Sequence, residues 1–465
     1  MTYADLIARK RVTFKPRGLP TVADADLHPS MFHYQRDVTR FALLAGCAAL
    51  FLDTGLGKTL CALTWGRAVV KHTGMPVLMF APLAVAGQHA REAAHFGIDA
   101  KAIREQQEID GARIYITNYD RADKFSPELF GGVILDESSI LKSFTGATTR
   151  KLIAAFAETP FRLACTATPA PNDHTEIGTH AEFLGVMRRD EMLPRWFIHD
   201  SADTGTWRIK GHAVEDFWRW VASWARCLSK PSDLGHSDDG FSLPALTLQQ
   251  HIVAADQSVN TGEERDGQAR LFRIPDTSAT AIHAEKRLTT DARSDVIARL
   301  VGAERSEPWV VWCDTDYEAD ALTARIADAV EVRGSMTPDQ KEERLTAFST
   351  GAARVIVTKP SVAGYGLNWQ HCARMAFVGL SFSYENFYQA VRRSWRFGQK
   401  REVLVHVAMA DTEKNIWEVV NRKAGDHDAM KCEMVKAMRV ASIQHDRKTT
   451  YQPQTEAKLP AWIAA

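Results

Sequence analysis

The chain has 465 residues, 45% of them hydrophobic, which is long and apolar enough for two or three domains of ordinary size. Its 57 basic residues balance its 57 acidic ones, so attraction of a nucleic acid by overall charge is excluded and any such binding needs local clusters. The seven cysteines lie far apart without a C-x-x-C pair, which favours a reducing cytosol over a disulfide or zinc framework.

The N-terminal stretch MTYADLIARKRVTF lacks the apolar segment that is typical of a signal peptide. No apolar run in the sequence approaches the roughly 18 residues that a membrane span requires. We therefore expect a soluble, cytoplasmic protein that has no membrane partner.

Short apolar and β-branched runs recur between longer helical patterns. A first series of predicted strands comprises residues 46–52, 75–82, 112–118, 131–137 and 161–169. A second series comprises residues 308–314, 353–360, 373–379 and 402–410. Because these runs are continuously apolar rather than alternating, they predict parallel sheets covered on both faces, and hence two α/β domains.

The two series are separated by SKPSDLGHSDDGFSLP at 229–244, which is rich in Ser, Asp, Gly and Pro and predicts a hinge region. We divide the chain into an N-terminal segment, a first α/β domain, a linker, a second α/β domain and a polar tail, at residues 1–27, 28–235, 236–245, 246–440 and 441–465.

The first motif follows the first predicted strand, in FLDTGLGKTL at 51–60. Glycines permit backbone angles that let successive N–H groups converge on phosphate oxygens, helped by the dipole of the following helix. The lysine would reach the β and γ phosphates, and the next hydroxyl would hold Mg²⁺. The predicted nucleotide contacts are Thr54, Gly55, Gly57, Lys58 and Thr59. The full phosphate-loop pattern has a glycine where this chain has Leu52, so an ordinary glycine turn is the alternative.

The second motif is VILDES, where Asp136 and Glu137 end an apolar strand at the edge at which open parallel sheets bind ligands. Asp136 can hold Mg²⁺ through water, and Glu137 can orient or deprotonate an attacking water. A pair that caps the next helix is the alternative. The third motif, CTATPAPND, places Thr166 and Thr168 after another strand, with a simple turn as the alternative.

The order of GKT, DE-x-x and TATP in one α/β domain resembles a superfamily 2 helicase of the DEAD/DEAH-box kind. Further boxes agree, and QAVRRSWRFGQ fits the Swi/Snf-type branch. This stretch lies at 389–399. The other boxes are FHYQRD at 32–37, APLAVAGQHAREAAHFG at 81–97, VRGSMTPDQKEERLTAF at 332–348 and VAGYGLNWQ at 362–370. LDESSILKS with KPSVAGYGLNWQ looks closest to compact helicases carried by bacteriophages and prophages. The resemblance covers about residues 30–425.

The resemblance implies two RecA-like parallel-sheet domains in tandem with an ATP cleft between them, and ATP and Mg²⁺ as cofactors. Gln35 would recognise the adenine edge, with a surface glutamine as the alternative. Arg393 and Arg396, three apart and expected on one helix face, would act as arginine fingers, catalytic together with Lys58 and Glu137. Residues that couple the nucleotide to the track would be Thr166, Thr168 and Gly366.

The same resemblance implies a nucleic-acid track along both domains. Its candidate contacts are Asn118, Tyr119, Lys142, Asn368 and Trp369. Gripping phosphates with such groups needs no sequence information, which suits a translocating enzyme. A surface charge or a packed aromatic is the alternative for each of them.

Five tryptophans lie between Trp196 and Trp224. Most are expected in the core, because Val214, Phe217, Trp218, Val221, Trp224, Ala225 and Leu228 form one helical stripe. Trp207 and Trp220 lie off that stripe and are candidate DNA or partner contacts. The histidines show no paired-ligand spacing, so no metal beyond Mg²⁺ is expected.

The predicted function is an ATP-dependent DNA helicase or translocase that couples hydrolysis to movement along DNA. An RNA-directed helicase and a nucleotide-gated scaffold without significant turnover are the alternatives. Motif II reads DESS where the branch usually has DEAH, so coupling is expected to be weaker or carried by Ser139. We expect a monomer whose partners are DNA and targeting, replication or recombination proteins.

Overall fold

The computed structural model describes residues 16–82, 85–200, 203–254, 279–363 and 367–443. The chain divides into two compact units. One contains the described residues up to Asp238 together with those from His427, and the other contains Asp239–Asp426. The predicted contact Gly366 and most of the predicted tail lie outside the described residues.

The described part of the first unit builds one parallel sheet of seven strands, in the order β3-β4-β2-β5-β6-β1-β9. The strands are β1 Cys47–Leu52, β2 Val77–Ala81, β3 Ala100–Ala102, β4 Ile114–Asn118, β5 Gly132–Asp136, β6 Phe161–Cys165 and β9 Ala225–Leu228. All five predicted strands of the first series are confirmed. Every residue of β1, β2, β5 and β6 is buried, as continuous apolar runs require.

Helices and one antiparallel hairpin complete this unit. The helices are α1 His33–Ala45, α2 Lys58–Thr73, α3 Ala86–His95, α4 Ala147–Ala155, α5 Ile177–Phe183, α6 Arg189–Trp196 and α7 Val214–Trp224. The hairpin pairs β7 Phe197–Asp200 with β8 Asp203–Ile209. The stripe predicted through Leu228 stops early, because α7 ends at Trp224 and Ala225 begins a sheet strand.

The second unit has a parallel sheet of six strands within its described residues, in the order β10-β15-β14-β11-β13-β12. Its strands are β10 Leu246–Val253, β11 Trp309–Trp312, β12 Ala329–Val332, β13 Val355–Thr358, β14 Arg374–Phe377 and β15 Val403–Ala410. Its helices are α8 Ala279–Ala303, α9 Asp316–Arg325, α10 Pro338–Ser349, α11 Pro360–Ala363, α12 Tyr384–Val391 and the first part of α13 Lys414–Ile443.

Both faces of the second sheet are covered. In β11, Val310 and Trp312 belong to one apolar core, whereas Trp309 and Val311 belong to another. Since side chains alternate along a strand, a strand between two cores must be apolar at every position. The four predicted strands of the second series are confirmed. Their apolar runs could be recognised in the sequence because both faces of this sheet are covered.

The last part of α13 differs from the predicted domain division. Residues from His427 onward cluster with the first unit, although the sequence placed 246–440 in the second domain. The helix continues without a break from Lys414 to Ile443, so no local sequence signal marks the change of unit. No helix in the described ranges is long and apolar enough to cross a membrane.

Candidate nucleotide-binding site

The three motifs of the first unit meet at one edge of its sheet. Strand β6 lies between β1 and β5, and all three run parallel. Their carboxyl ends therefore share an edge, which is where ligands bind in open parallel sheets. This edge carries the loop after β1, Asp136 at the end of β5, and Thr166 after β6.

The loop after β1 has the backbone that its glycines were predicted to allow. Gly55 and Gly57 have φ angles of 91° and 75°, in the left-handed region that side chains disfavour. Gly57 is the N-cap of α2, which begins at Lys58 and ends at Thr73. A Cβ atom on Gly57 would lie 2.1 Å from Gln35 Nε2, so a side chain here would displace the end of the Gln35 side chain.

Gln35 supports this loop from α1. Its Nε2 donates to the Leu56 carbonyl at 3.0 Å, and its Oε1 accepts from the Phe32 N–H at 2.9 Å. Tyr34 donates its hydroxyl to the same Leu56 carbonyl at 3.0 Å. Gln35 is 4% exposed, so it is no surface glutamine. These contacts use half of the hydrogen-bonding capacity of its amide, which leaves the predicted adenine contact chemically possible.

Lys58 lies among oxygen atoms. Its Nζ donates to the Leu52 carbonyl at 2.9 Å and lies 3.5 Å from the Asp53 carbonyl. Burial lowers the pKa of Lys58, while the carboxylates of Glu137, Asp136 and Asp53 oppose that shift by favouring the charged amine. A lysine held by carbonyls beside carboxylates is suited to exchange those carbonyls for phosphate oxygens.

Asp136 has a partner that the sequence analysis missed. His89 on α3 places Nε2 2.7 Å from Asp136 Oδ2, and both side chains are buried. Burial opposes a charge on the ring, but the carboxylates of Asp136 and Glu92 together outweigh it and raise the pKa of His89 to about 9. His89 lies in the stretch QHARE, but its position in the sequence gave no indication that it would contact Asp136 in VILDES.

Tyr119 also belongs to this motif. Its hydroxyl donates to the Asp136 carbonyl at 2.6 Å, and its ring stacks on Phe80 at 5.7 Å. The aromatic predicted as a nucleic-acid contact therefore holds the end of β5. Glu137, the residue after Asp136, has a φ angle of 55°. Among the described residues, no other non-glycine residue has a positive φ angle. Such strain persists where the surroundings impose it, and it is common at functional sites.

The serines and threonines that follow are buried. Thr166 Oγ1 accepts from the Thr168 N–H at 3.1 Å. Ser138 Oγ lies 3.2 Å from Nε2 of His180 on α5, whereas Ser139 Oγ lies 3.5 Å from the Glu137 carbonyl. Ser138 thus links motif II to α5, and coupling of motif II to the next motif through Ser139 stays a prediction.

In the second unit, Arg393 and Arg396 do not lie on a helix, because α12 ends at Val391. They nevertheless share a partner, since both Nη1 atoms donate to the Leu367 carbonyl, at 2.9 Å and 3.1 Å. Arg393 is 2% exposed and also donates to the carbonyl and Oε1 of Gln389. Arg396 is half-buried. Arg393 is thus more deeply buried in its own unit than Arg396.

The predicted nucleic-acid contacts divide by exposure. Asn368 is exposed, and Asn118 and Lys142 are half-buried. Trp369 is wrong as a contact, because it is fully buried and donates Nε1 to Ser349 Oγ at 3.1 Å. In the first unit Trp220 is likewise fully buried, stacked on Trp196 at 4.7 Å. Trp207 is half-buried against His199.

Known proteins resemble this chain in sequence over one segment. Residues 292–398 match the helicase conserved C-terminal domain. Eukaryotic initiation factor 4A of Dictyostelium discoideum is 29% identical over 106 residues, which are 22% of this chain and 26% of that protein. ATP-dependent RNA helicase FAL1 of Saccharomyces cerevisiae is 27% identical over 109 residues, 23% of this chain and 27% of that protein. The chain spans about a quarter of the length of these relatives.

Solved structures resemble the fold over most of the chain. S. cerevisiae Dbp5 bound to RNA and ADP BeF3 has a TM-score of 0.53 at 12% identity, covering 87% of this chain and 93% of that one. The Sulfolobus solfataricus SWI2/SNF2 ATPase core in complex with dsDNA has a TM-score of 0.43, which is too low to establish a shared fold. The predicted fold class, two RecA-like parallel-sheet domains, is confirmed. The chain is thus similar to helicases in two respects, the sequence of residues 292–398 and the RecA-like fold of its units.

Proposed function

We propose that the chain is an ATPase stimulated by nucleic acid, which couples hydrolysis to movement along DNA and to strand separation. One observation carries this proposal above the others. A half-buried lysine, Lys58, lies at a sheet edge beside the carboxylates Asp136 and Glu137, at the end of a loop whose glycines have left-handed backbone angles. This set of groups binds phosphate and activates water, and a simple glycine turn needs none of it.

The residues at this edge fit a nucleotide with Mg²⁺. Backbone N–H groups of the glycine loop and Lys58 would bind the phosphates. Thr59 and Asp136 offer the oxygen ligands that Mg²⁺ prefers, and Mg²⁺ held there supplies charge neutralisation to the phosphate oxygens. The contact with His89 engages Oδ2 of Asp136, one of its two carboxylate oxygens.

Glu137 is the proposed general base. Its backbone turns into the left-handed region directly after the strand that ends at Asp136. In that role it orients a water and accepts its proton as the water attacks the terminal phosphoryl group. Arg396 is the proposed residue that stabilises charge on that group, because its side chain is half-buried whereas Arg393 is 2% exposed.

DNA is the proposed track, on the resemblance of QAVRRSWRFGQ to the Swi/Snf-type branch and of LDESSILKS to compact phage helicases. RNA is the second candidate, because ATP-dependent RNA helicase FAL1 is among the proteins similar in sequence. Asn118, Lys142 and Asn368 remain the proposed contacts. A competition assay, in which DNA and RNA duplexes compete for stimulation of turnover, separates the two tracks.

ATP hydrolysis measured with and without nucleic acid tests the proposal. Turnover is expected to rise steeply with added DNA. Lys58→Ala is expected to lower it about 10²- to 10³-fold, as loss of a positioned charge in a transition state does. Equal turnover with and without any DNA or RNA would contradict the proposal, and absence of turnover in the wild type would favour the scaffold.

A further inference from the structure

A buried ion pair joins the C-terminal helix to the start of the nucleotide loop. Lys431 on α13 places Nζ 3.0 Å from Asp53 Oδ2. Each of the two side chains is 7% exposed. They are 378 positions apart in sequence, yet both belong to the first unit. The proposed function leaves this pair without a role.

Asp53 makes several of the hydrogen bonds that hold the start of the nucleotide loop. It follows β1 directly, and its N–H donates to the Leu228 carbonyl at the end of β9 at 2.8 Å. Its Oδ1 accepts from the Thr54 N–H at 2.7 Å, and its carbonyl accepts from the Leu56 N–H at 3.3 Å. Lys58 Nζ lies 3.5 Å from the same carbonyl. Any shift of Asp53 therefore moves the loop and its lysine together.

Lys431 is fixed in place by the helix around it. Met430, Met434 and Met438 recur every four residues and are buried, so α13 presents one apolar face. Arg439, two turns further on, donates to the carbonyls of Asp233 and Ser232 at 3.2 Å and 3.0 Å. These contacts anchor the helix on both sides of the lysine, which holds the ammonium group beside Asp53.

Stability alone is a poor explanation for such a pair. Moving two charges out of water costs several kcal/mol each, and apolar residues of similar volume often stabilise a core better. This ion pair is therefore better explained by the group that it holds in position. Here the positioned group is Asp53, and through it the phosphate-binding loop.

We propose that Lys431 is a positioning residue for nucleotide binding, which acts through Asp53. It touches no substrate itself. It holds the Asp53 carboxylate so that Oδ1 caps the Thr54 N–H, and the loop is thereby preset for phosphates. The chain's last described helix thus sets the nucleotide affinity of the first unit. This inference rests on the proposed nucleotide site.

The test measures binding of a fluorescent ADP with Mg²⁺ to the full chain, at a temperature well below unfolding. Lys431→Met keeps the side-chain volume and leaves Asp53 buried without its cation; affinity is expected to fall about tenfold or more. Asp53→Asn keeps the Oδ1 acceptor but removes the carboxylate that pairs with Lys431, and a similar loss of affinity is expected. Lys436→Met, an exposed position on the same helix, is the matched control and keeps wild-type affinity.

The double variant Asp53→Asn with Lys431→Met removes both charges and keeps the acceptor for the Thr54 N–H. Its affinity is expected to be about that of either single variant, a non-additivity that independent sites do not show. If Lys431→Met does not fold, Asp53→Asn and the double variant still provide this comparison.

The outcomes are distinct. Wild-type affinity in both folded single variants, with only a lower unfolding temperature, would overturn the inference and leave a structural ion pair. A double variant whose loss equals the sum of the two single losses would overturn it as well. Failure of the wild type and of Lys436→Met to bind the nucleotide would instead refute the proposed function, and this inference with it.

Discussion

His180 is a histidine that the fold keeps uncharged. It is fully buried on α5, with Nδ1 3.4 Å from the Glu176 carbonyl and its ring edge-on to Phe51 at 5.4 Å. Burial lowers its pKa from 6.5 to about 4, and the hydrogen bonds from neighbouring groups offset this only in part. Through its contact with Ser138 it supports the segment that follows Asp136.

The protein is therefore expected to lose stability in mild acid. Because the folded pKa lies below the unfolded one, the unfolded state binds the proton first as the pH falls. The contribution of His180 is complete above about pH 6.5 and decreases toward pH 4, amounting to a loss of about 2 kcal/mol at pH 5. Urea unfolding at pH 7 and pH 5 measures it.

His180→Gln cannot take up that proton, so its stability should change less between the two pH values than that of the wild type. His212→Gln, at an exposed position, is the control and should keep the wild-type change. The same pH dependence in all three proteins would show that other groups are responsible.

Sequence reasoning located the chemical groups of the site better than their supports. Lys58, Asp136 and Glu137 could be predicted because their motifs follow apolar strands at short, fixed spacing. His89 could not, since its link to Asp136 depends on how a helix lies against the sheet. Trp369 was wrong because exposure of an aromatic is decided by tertiary packing, here against Phe348 and Trp312.

At the scale of the element, helix α2 begins and ends on a glycine, and the two glycines make different demands. Gly57 and Gly74 have φ angles of 75° and 69°. A Cβ atom at Gly57 would lie 2.1 Å from Gln35 Nε2, whereas one at Gly74 would meet nothing within 4 Å. A side chain would therefore strain the backbone at both positions, but it would collide with α1 only at Gly57.

Gly57→Ala is accordingly expected to abolish nucleotide binding, because either the loop or Gln35 must move. Gly74→Ala should cost about 1 kcal/mol of stability from its left-handed backbone and leave nucleotide affinity unchanged. A fluorescent nucleotide titration with a parallel unfolding curve distinguishes the two. Equal affinity in both variants would show that the contact between α1 and the loop is unimportant for binding.

The predictability of strands followed their place in the sheet. Central strands such as β1 and β11 are apolar throughout, and the sequence predicted them correctly. Strands at an edge escaped notice: β3 is not buried, and β10 exposes Leu248 and Ile252. An edge strand lacks a neighbour on one side, so its composition carries a weaker signal than that of a buried strand.

At the scale of the whole molecule, the two arginines of the last box have separate expected roles. Arg393→Ala removes three hydrogen bonds from a buried site and should lower the free energy of unfolding by about 2–5 kcal/mol. Arg396→Ala should leave stability and nucleotide affinity intact and lower turnover about 10³-fold, as removal of an arginine finger does.

Steady-state turnover and urea unfolding of both variants measure these effects. The comparison tests whether catalysis depends on both units, since Lys58 belongs to one and Arg396 to the other. Unchanged turnover in Arg396→Ala would argue against that dependence. Reduced turnover in a fully stable Arg393→Ala would instead identify Arg393 as the phosphate contact.

At the same scale, charge balance limits how the molecule would bind the proposed nucleic-acid track. With 57 basic and 57 acidic residues, long-range attraction contributes nothing, so the salt dependence of binding reports local phosphate contacts. Lys142 is a proposed contact of this kind, directly after motif II. Lys142→Ala should reduce the slope of log affinity against log salt by about 0.7 to 0.9, the value for one phosphate contact. Lys151→Ala, which removes a lysine already paired with Asp123, should leave the slope unchanged. Equal slopes for Lys142→Ala and the wild type would remove Lys142 from the track, and a change in both variants would show that the positive charge acts collectively.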